Sequence, residues 1–264
     1  MPLTEERKQK EMEHYDKQAE RELQKSGGGW KGDFEGFEPQ ELSSYRHFYK
    51  LLRENVSGKK VLDYGCGNGI HSVYPLEQGA RELIGVDISV QSLRLAEEKV
   101  RQAGFREKAK FLQMDCEKLE FPDDSFDIVM DGGTFSSLDL SKAIPEIARV
   151  LRPGGMLIGI ETLGHNPVAN WNRERNRQTG KRTHWAADHI FQMKDFDLAE
   201  KYFEKVDGYF FHLISFFSFP FAKKPGGKIL LQITQTLEHP FEQLPFIRRF
   251  CFKTVFLFQK KRKV

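Results

Sequence analysis

Short apolar runs alternate with amphipathic segments between residues 59 and 162. Runs of this length predict buried strands, whereas apolar residues spaced three and four apart predict helices. Helices are predicted over residues 89–103, with Ser89 as the N-cap, and over about 141–151, followed by a turn at 152–155. Strands and helices in alternation predict a parallel sheet with helices on both faces. The predicted strands cover residues 60–64, 83–87, 110–114, 127–130 and 156–161.

Two further helices are predicted before the first strand, over residues 4–25 and 41–55. We therefore divide the chain into an N-terminal helical cap over residues 1–57 and a larger domain over residues 58–264. In the first helix, the residues whose spacing predicts an inward-facing side chain are Met12, Tyr15, Ala19 and Leu23.

The strand and helix alternation ends after residue 162. Two more strands are predicted over residues 202–213 and 251–258. The polar stretch 163–200 and the stretch 213–248, which contains several Pro and Gly residues, are interpreted as insertions on the substrate side of the larger domain.

Composition limits the classes of protein that fit. Hydrophobic content of 39% and charged content of 30% are typical of a folded domain, and a net charge of +3 gives no reason to expect a nucleic-acid partner. The cysteines Cys66, Cys116 and Cys251 form no CxxC pair, which argues against disulfides or structural zinc. With a charged N-terminus and no apolar run near about 18 residues, we expect a cytoplasmic protein.

A glycine-rich turn follows the first predicted strand. Gly65, Gly67 and Gly69 alternate with other residues, and Asp63 precedes them. Glycines let a backbone turn sharply and approach a ligand closely, and the amides at the start of the next helix favour an anion. The spacing is GxGxG with Ile70 in place of the last glycine of a dinucleotide fingerprint, and it lacks the Gly-Lys-Ser/Thr of a P-loop.

This stretch resembles motif I of class I S-adenosylmethionine-dependent methyltransferases, in which an acidic residue precedes GxGxG. The resemblance implies an α/β fold: a doubly wound, seven-stranded, mostly parallel Rossmann-like sheet with an antiparallel last strand. It also implies S-adenosylmethionine as the cofactor. The loop holding the methionine part would comprise Asp63, Gly65, Cys66, Gly67, Asn68 and Gly69.

Later motifs follow in the order typical of that family over residues 58–162. By resemblance, Asp87 accepts hydrogen bonds from the ribose hydroxyls and Ile88 packs on the adenine. Asp115 would receive the adenine amino group beside the Cys116 backbone. Tyr15 would cover the cofactor. Each residue also has a plain structural interpretation: Asp87 as a cap of the helix from Ser89, Asp115 as a loop acid, and Tyr15 as a helix packing residue.

Candidate catalytic residues follow the fourth and fifth strands, at the carboxyl edge where ligands bind in such sheets. Asp131 is a candidate for contact with the cofactor or the reacting groups, with a turn-forming Asp-Gly as the alternative. His165 has suitable chemistry for a proton acceptor, and Asn166 beside it gives the alternative of a turn. His184, with Asp188 and His189, is too weak a ligand pattern for a metal, so no metal is predicted.

The methyl acceptor is less specified than the cofactor. Arg173 begins a basic stretch that extends to Arg182 and suits a phosphate or carboxylate, or a solvated surface; with His165, Asn166 and His184 it completes the candidate substrate residues. The phenylalanines at 210–221 and the basic tail indicate either core packing or an amphipathic acceptor and peripheral membrane contact. A small-molecule O- or N-methyltransferase is therefore predicted. The alternatives are an RNA or protein methyltransferase and a non-catalytic S-adenosylmethionine-binding module.

Overall fold

The computed structural model describes residues 3–24, 37–178 and 183–262. Their centre is one seven-stranded sheet in the order β3-β2-β1-β4-β5-β7-β6. The first five strands pair in parallel, and β7 runs antiparallel between β5 and β6, which confirms the predicted fold class. The strands are β1 (Lys60–Tyr64), β2 (Glu82–Asp87), β3 (Ala109–Gln113), β4 (Phe126–Asp131), β5 (Leu151–Thr162), β6 (Lys205–Phe211) and β7 (Lys253–Gln259).

Helices cover both faces of the sheet and its carboxyl edge, where β1 to β5 end. Those in the described ranges are α1 (Leu3–Gln24), α2 (Ser43–Asn55), α3 (Val73–Glu77), α4 (Val90–Gln102), α5 (Leu140–Val150), α6 (Pro167–Gln178), α7 (His184–Asp188), α8 (Met193–Ala199) and α9 (Gly227–Glu238). None of them is both long enough and apolar enough to cross a bilayer.

The sheet has an apolar core on each face because successive strand residues point to opposite sides. Val61 packs with Leu52 of α2 in one core, while Leu62 packs with Ile147 of α5 in the other. All four side chains are fully buried. A strand buried on both faces reads as a continuous apolar run, and this explains the uninterrupted runs in the sequence.

Two details of the sequence prediction are wrong. The turn expected at residues 152–155 is a bulge inside β5: pairing passes from Phe126 with Leu151 to Ile128 with Met156. The backbone of Lys260, at the end of β7, exchanges hydrogen bonds with residues 154 and 155, and this remote partner keeps the segment in the sheet. Leu23 is 50% exposed, whereas Ala19 is buried, because the side of the last turn of α1 that carries Leu23 faces solvent.

A buried polar network joins the end of β6 to α9. Glu238 accepts hydrogen bonds from the backbone amides of Ile214 and Ser215 at 2.7 Å and from Ser215 Oγ at 2.5 Å. Glu242 accepts one from the amide of His212 at 2.7 Å. Both glutamates are buried. Burial, together with the charge of Glu238, raises the pKa of Glu242 to about 8. The pair therefore retains a proton near neutral pH.

We expect Glu242→Gln to remove a pH-dependent part of the stability. Because the pKa of Glu242 is raised on folding, its contribution is full below about pH 4.5 and is lost as the pH rises to about 8. Between pH 5.5 and 8.5 the wild type should lose up to about 3 kcal/mol of unfolding free energy that the amide variant keeps. Urea denaturation at both pH values measures this difference.

The matched control is Glu97→Gln, which changes an exposed glutamate of α4. That variant should follow the wild-type dependence on pH. Equal losses of stability in Glu242→Gln and in the wild type would contradict the shared proton.

Candidate functional site

The turn after β1 depends on glycines in the left-handed region. Gly67 has a φ of +51° and Gly69 a φ of +75°, which side chains other than glycine rarely adopt. A Cβ on Gly69 would lie 2.6 Å from the Cα of Ala96, so α4 packs directly against the turn. A Cβ on Gly67 would meet no atom within 4 Å. The backbone at Gly67 therefore borders open space.

That space is a cavity of about 270 Å³ at the carboxyl edge of the sheet, between the turn, the ends of β2 and β4, and α1. Its size approaches the lower end of the range for small-molecule sites, roughly 300–1,000 Å³. The cavity brings together most of the predicted cofactor residues: Tyr15, Asp63, Gly65, Cys66, Gly67, Asn68, Asp87, Ile88, Asp115 and Cys116. Gly69 and Asp131 are not part of its lining.

Asp63 lies at the inner end of the cavity. Its Oδ2 accepts a hydrogen bond from Ser72 Oγ at 2.6 Å. Burial, opposed by this bond and reinforced by the charge of Asp87, raises the pKa of Asp63 to about 7. A cation placed beside a buried carboxylate favours its ionised form, which suits the ammonium of an amino acid.

Asp87 connects the turn to the next helix. Its Oδ2 accepts a hydrogen bond from the amide of Gly67, and its Oδ1 accepts one from the amide of Ser89, both at 2.9 Å. Burial raises the pKa of this carboxyl in spite of these bonds. Ser89 itself caps α4, because its Oγ accepts from the amide of Ser92 at 3.1 Å. Asp87 therefore fixes the shape of the turn and also faces the cavity.

Asp115 is engaged by the N-terminal helix. Its Oδ1 accepts a hydrogen bond from the amide of Glu117 at 2.9 Å, and its Oδ2 lies 2.5 Å from the ammonium of Lys8. Arg7 pairs with Glu117 in the same place. An adenine amino group on Asp115 would therefore compete with Lys8 for one oxygen.

Polar contacts hold α1 over the cavity along its length. The hydroxyl of Tyr15 lies 2.9 Å from Ser137 Oγ. Asp16 accepts a hydrogen bond from Ser89 Oγ at 2.6 Å, and Glu22 accepts one from the side-chain amide of Asn68 at 3.0 Å. Tyr15 thus has both a packing and a lining position.

Asp131 lies beneath the cavity. Its Oδ1 accepts hydrogen bonds from the amides of Gly133 and Thr134, at 3.4 and 3.0 Å, so it shapes the turn after β4. Burial and the neighbouring charge of Glu161 raise its pKa well above the ordinary value. The turn-forming role is the one that these contacts support.

The four candidate substrate residues lie outside the lining of this cavity. His165 Nε2 accepts a hydrogen bond from the amide of Met193 at 3.1 Å. Asn166 caps α6 through the amides of residues 168 and 169. Arg173 is buried and donates to the carbonyl of Leu163 at 2.9 Å. His184 is exposed in a separate groove between α1 and α7. Residues 179–182 of the basic stretch lie outside the described residues.

His71 was not among the residues predicted from the sequence, and it lines the cavity two residues beyond the glycine turn. Its ring packs on the backbone of Gly132, where a Cβ would lie 2.5 Å from the imidazole. His71 Nδ1 lies 2.9 Å from the hydroxyl of Tyr49 on α2. A histidine directly after a ligand-binding turn was the available signal. Within the described ranges, no cluster of His, Cys, Asp and Glu suits a metal ion.

Comparison with known proteins identifies the central part of the chain. Residues 62–159 match the family model described as a methyltransferase domain. This central segment is a methyltransferase domain, and it is similar to class I S-adenosylmethionine-dependent methyltransferases. The methyltransferase domain contains the glycine turn and the ends of β2 and β4, and the cofactor of its family is S-adenosylmethionine.

Sequence matches to curated relatives cover less than half of this chain. A demethylmenaquinone methyltransferase of Lactiplantibacillus plantarum is 34% identical over 127 residues, covering 46% of this chain and 54% of that protein. An eEF1A lysine and N-terminal methyltransferase of Bos taurus is 33% identical over 130 residues, 46% of this chain and 18% of that protein. The chain thus spans about half of the first relative's length and less of the second's.

A solved structure extends the likeness to most of the fold. The phosphoethanolamine N-methyltransferase 2 of Haemonchus contortus, in complex with phosphomonomethylethanolamine and S-adenosylhomocysteine, superimposes with a TM-score of 0.60 at 17% identity. The match covers 84% of this chain and 54% of that one. At this identity the likeness concerns the fold.

The residues of the cavity fit the cofactor. The open backbone at Gly67 leaves room for a ligand's carboxylate, and Asp63 offers a buried acid for its ammonium. Asp87 lies where a nucleoside attached to that amino acid would extend along the ends of β1 and β2.

We expect Asp87→Ala to weaken binding of S-adenosylhomocysteine by about 1–3 kcal/mol, roughly 5- to 150-fold in Kd, since a buried acceptor is lost. Isothermal calorimetry measures the change. Asp197→Ala, at an exposed position of α8, is the control and should bind like the wild type. Unchanged affinity in Asp87→Ala, with an unchanged melting temperature, would remove Asp87 from the cofactor site.

Proposed function

We propose that this protein transfers a methyl group from S-adenosylmethionine to oxygen or nitrogen of a small molecule. The observation that carries the proposal is the single cavity where the glycine turn, Asp63, Asp87 and Asp115 meet at the carboxyl edge of the sheet. A non-catalytic binding module would need the same donor site but no room for an acceptor. Gly132 and Gly133 line the cavity next to the donor site, and we place the acceptor on that side.

S-adenosylmethionine supplies an electrophilic methyl group, and its displacement requires the acceptor to lie in line with the breaking bond. The chain's own residues provide orientation and exclude water. Asp63 holds the amino-acid end and Asp87 the ribose. Tyr15, tied to Ser137, closes the cavity from the side of α1. A proton acceptor is needed only when the acceptor atom is protonated at working pH.

His71 is the residue that we assign to positioning the acceptor. Burial lowers its pKa to about 3, so the imidazole is neutral. Burial also raises the pKa of Tyr49, whose hydroxyl lies 2.9 Å from His71 Nδ1 and keeps its proton. The neutral ring of His71 lies against Gly132 at the cavity, and we place a polar atom of the acceptor beside it.

The proposed acceptor is amphipathic or lipid-linked. Carboxylates and backbone line the inner part of the cavity, while Ile70, Met114 and Leu138 add apolar surface. A protein acceptor is the second candidate, because the domain is 33% identical to an eEF1A lysine and N-terminal methyltransferase. That match covers 18% of the relative, so it bears on the domain alone.

The test is a screen of S-adenosylhomocysteine release with lipid, sugar, amine and protein acceptors. Product formed with one small-molecule class, and absent in Asp87→Ala, would support the proposal. Transfer of labelled methyl to protein alone would favour the second candidate. Cofactor binding without turnover on any class would leave the non-catalytic module as the better interpretation.

We expect His71→Gln to lower kcat about tenfold or more while changing S-adenosylhomocysteine affinity less than about twofold, because a lost acceptor contact acts on the reacting geometry. Stopped assays with the acceptor found in the screen, together with calorimetry, give both values. A Tyr49→Phe variant should show a smaller loss of the same kind.

His165→Ala belongs in the same assay, since His165 remains a candidate from the sequence. If His165 is catalytic, His165→Ala should lower turnover and leave cofactor affinity intact. Normal turnover would remove it from the catalytic candidates.

Equal kcat values for wild type and His71→Gln would refute the role assigned to His71.

A further inference from the structure

The segment between β6 and β7 exposes an unusual amount of apolar surface. Most of the large apolar side chains that are exposed in the described part of the chain belong to residues 214–250. We call this exposed set the apolar surface. It comprises Ile214, Phe217, Phe221, Ile229, Leu230, Ile233, Leu237, Phe241, Leu244, Phe246 and Phe250. Exposed apolar side chains concentrated on this scale in one segment indicate an interaction site.

The exposed apolar side chains of α9 lie on one side of the helix. Leu231, Gln235 and Glu238 face the protein and are buried. Ile229, Ile233 and Leu237 recur at intervals of four on a different side and are 63%, 51% and 60% exposed. The helix therefore presents a mainly polar buried face to the protein and an apolar stripe outward.

The exposed charged side chains that this segment itself contributes have one sign. Between residues 213 and 251 the acidic residues are Glu238 and Glu242, and both are buried in the network with His212. The basic residues of the same segment are Lys223, Lys224, Lys228, Arg248 and Arg249. Lys228 pairs with Glu41 at 2.6 Å at the edge of the segment. Glu41 offsets the charge of Lys228, and the exposed charge that the rest of the segment contributes is positive.

The apolar surface begins and ends at the same edge of the sheet as the cofactor cavity. Phe211, the last residue of β6, pairs with Lys253, the first of β7, and Lys253 also pairs with Thr162 at the carboxyl end of β5. The glycine turn follows the carboxyl end of β1 in this sheet. A partner bound to the apolar surface would therefore lie on the side of the domain where the carboxyl ends of the parallel strands border the cofactor cavity.

We propose that the apolar surface docks on an anionic lipid bilayer, with α9 lying in the plane of the interface. Apolar stripes flanked by lysine and arginine bind at the boundary of headgroups and acyl chains, where anionic lipids attract the cations. A second copy of the chain fits less well, because a symmetric contact would bring two positive rims together. This proposal goes beyond methyl transfer and does not depend on it.

Sedimentation with vesicles tests the proposal on the whole protein. We expect binding to phosphatidylcholine vesicles that contain about 30% phosphatidylglycerol, and much weaker binding to pure phosphatidylcholine or in about 0.5 M salt. The double variant Ile233→Glu with Leu237→Glu should bind these vesicles at least about tenfold more weakly than the wild type. Absence of binding to the anionic vesicles by the wild type would overturn the proposal.

The matched control is Leu112→Glu with Tyr202→Glu, which adds the same charges at exposed apolar positions away from the apolar surface. It should bind vesicles like the wild type and, like the α9 variant, keep its melting temperature and S-adenosylhomocysteine affinity. Equal vesicle binding by the two double variants would refute the role of α9. A concentration-dependent dimer in light scattering that the α9 variant abolishes would assign the surface to self-association instead.

Discussion

The hydrogen bond from the amide of Gly67 to the carboxylate of Asp87 is the contact on which the site depends. It ties the left-handed turn after β1 to the end of β2, so two strands and the start of α4 share one fixed geometry. Because Gly69 lets Ala96 approach closely, α4 packs against the turn with no side chain between them. The open backbone at Gly67 is the result, and the cavity forms around it.

Ion pairs between α1 and the loop after β3 close the outer side of this cavity. Lys8 and Arg7 of α1 neutralise Asp115 and Glu117, which would otherwise be like charges at one edge of the sheet. The same pairing places Tyr15 over the cavity. A ligand that donates a hydrogen bond to Asp115 displaces the ion pair between Asp115 and Lys8 of α1. Ligand binding and the position of α1 are therefore linked through this carboxylate.

A second polar cluster lies beside the edge strand β6, where it leaves an apolar surface exposed instead of closing a cavity. Glu238 and Glu242 satisfy the backbone amides of residues 212, 214 and 215, and this fixes the loop against α9. Since these buried contacts set the rotation of the helix, Ile233 and Leu237 are kept outward. Burying the segment's only acids also leaves its exposed charge positive.

The sequence by itself determined the alternation of strands and helices, the glycine turn and the acids Asp63 and Asp87, because these follow from local periodicity and from motif spacing along neighbouring strands. Tertiary structure decided the rest. The phenylalanines at 210–221 divide between core and surface, with Phe210 buried and Phe217 exposed, because packing against α9 and β7 assigns each face. His71 contacts Tyr49 of α2, and His165 accepts a hydrogen bond from the amide of Met193. Both contacts join segments that are far apart in the sequence, so no local pattern predicts them.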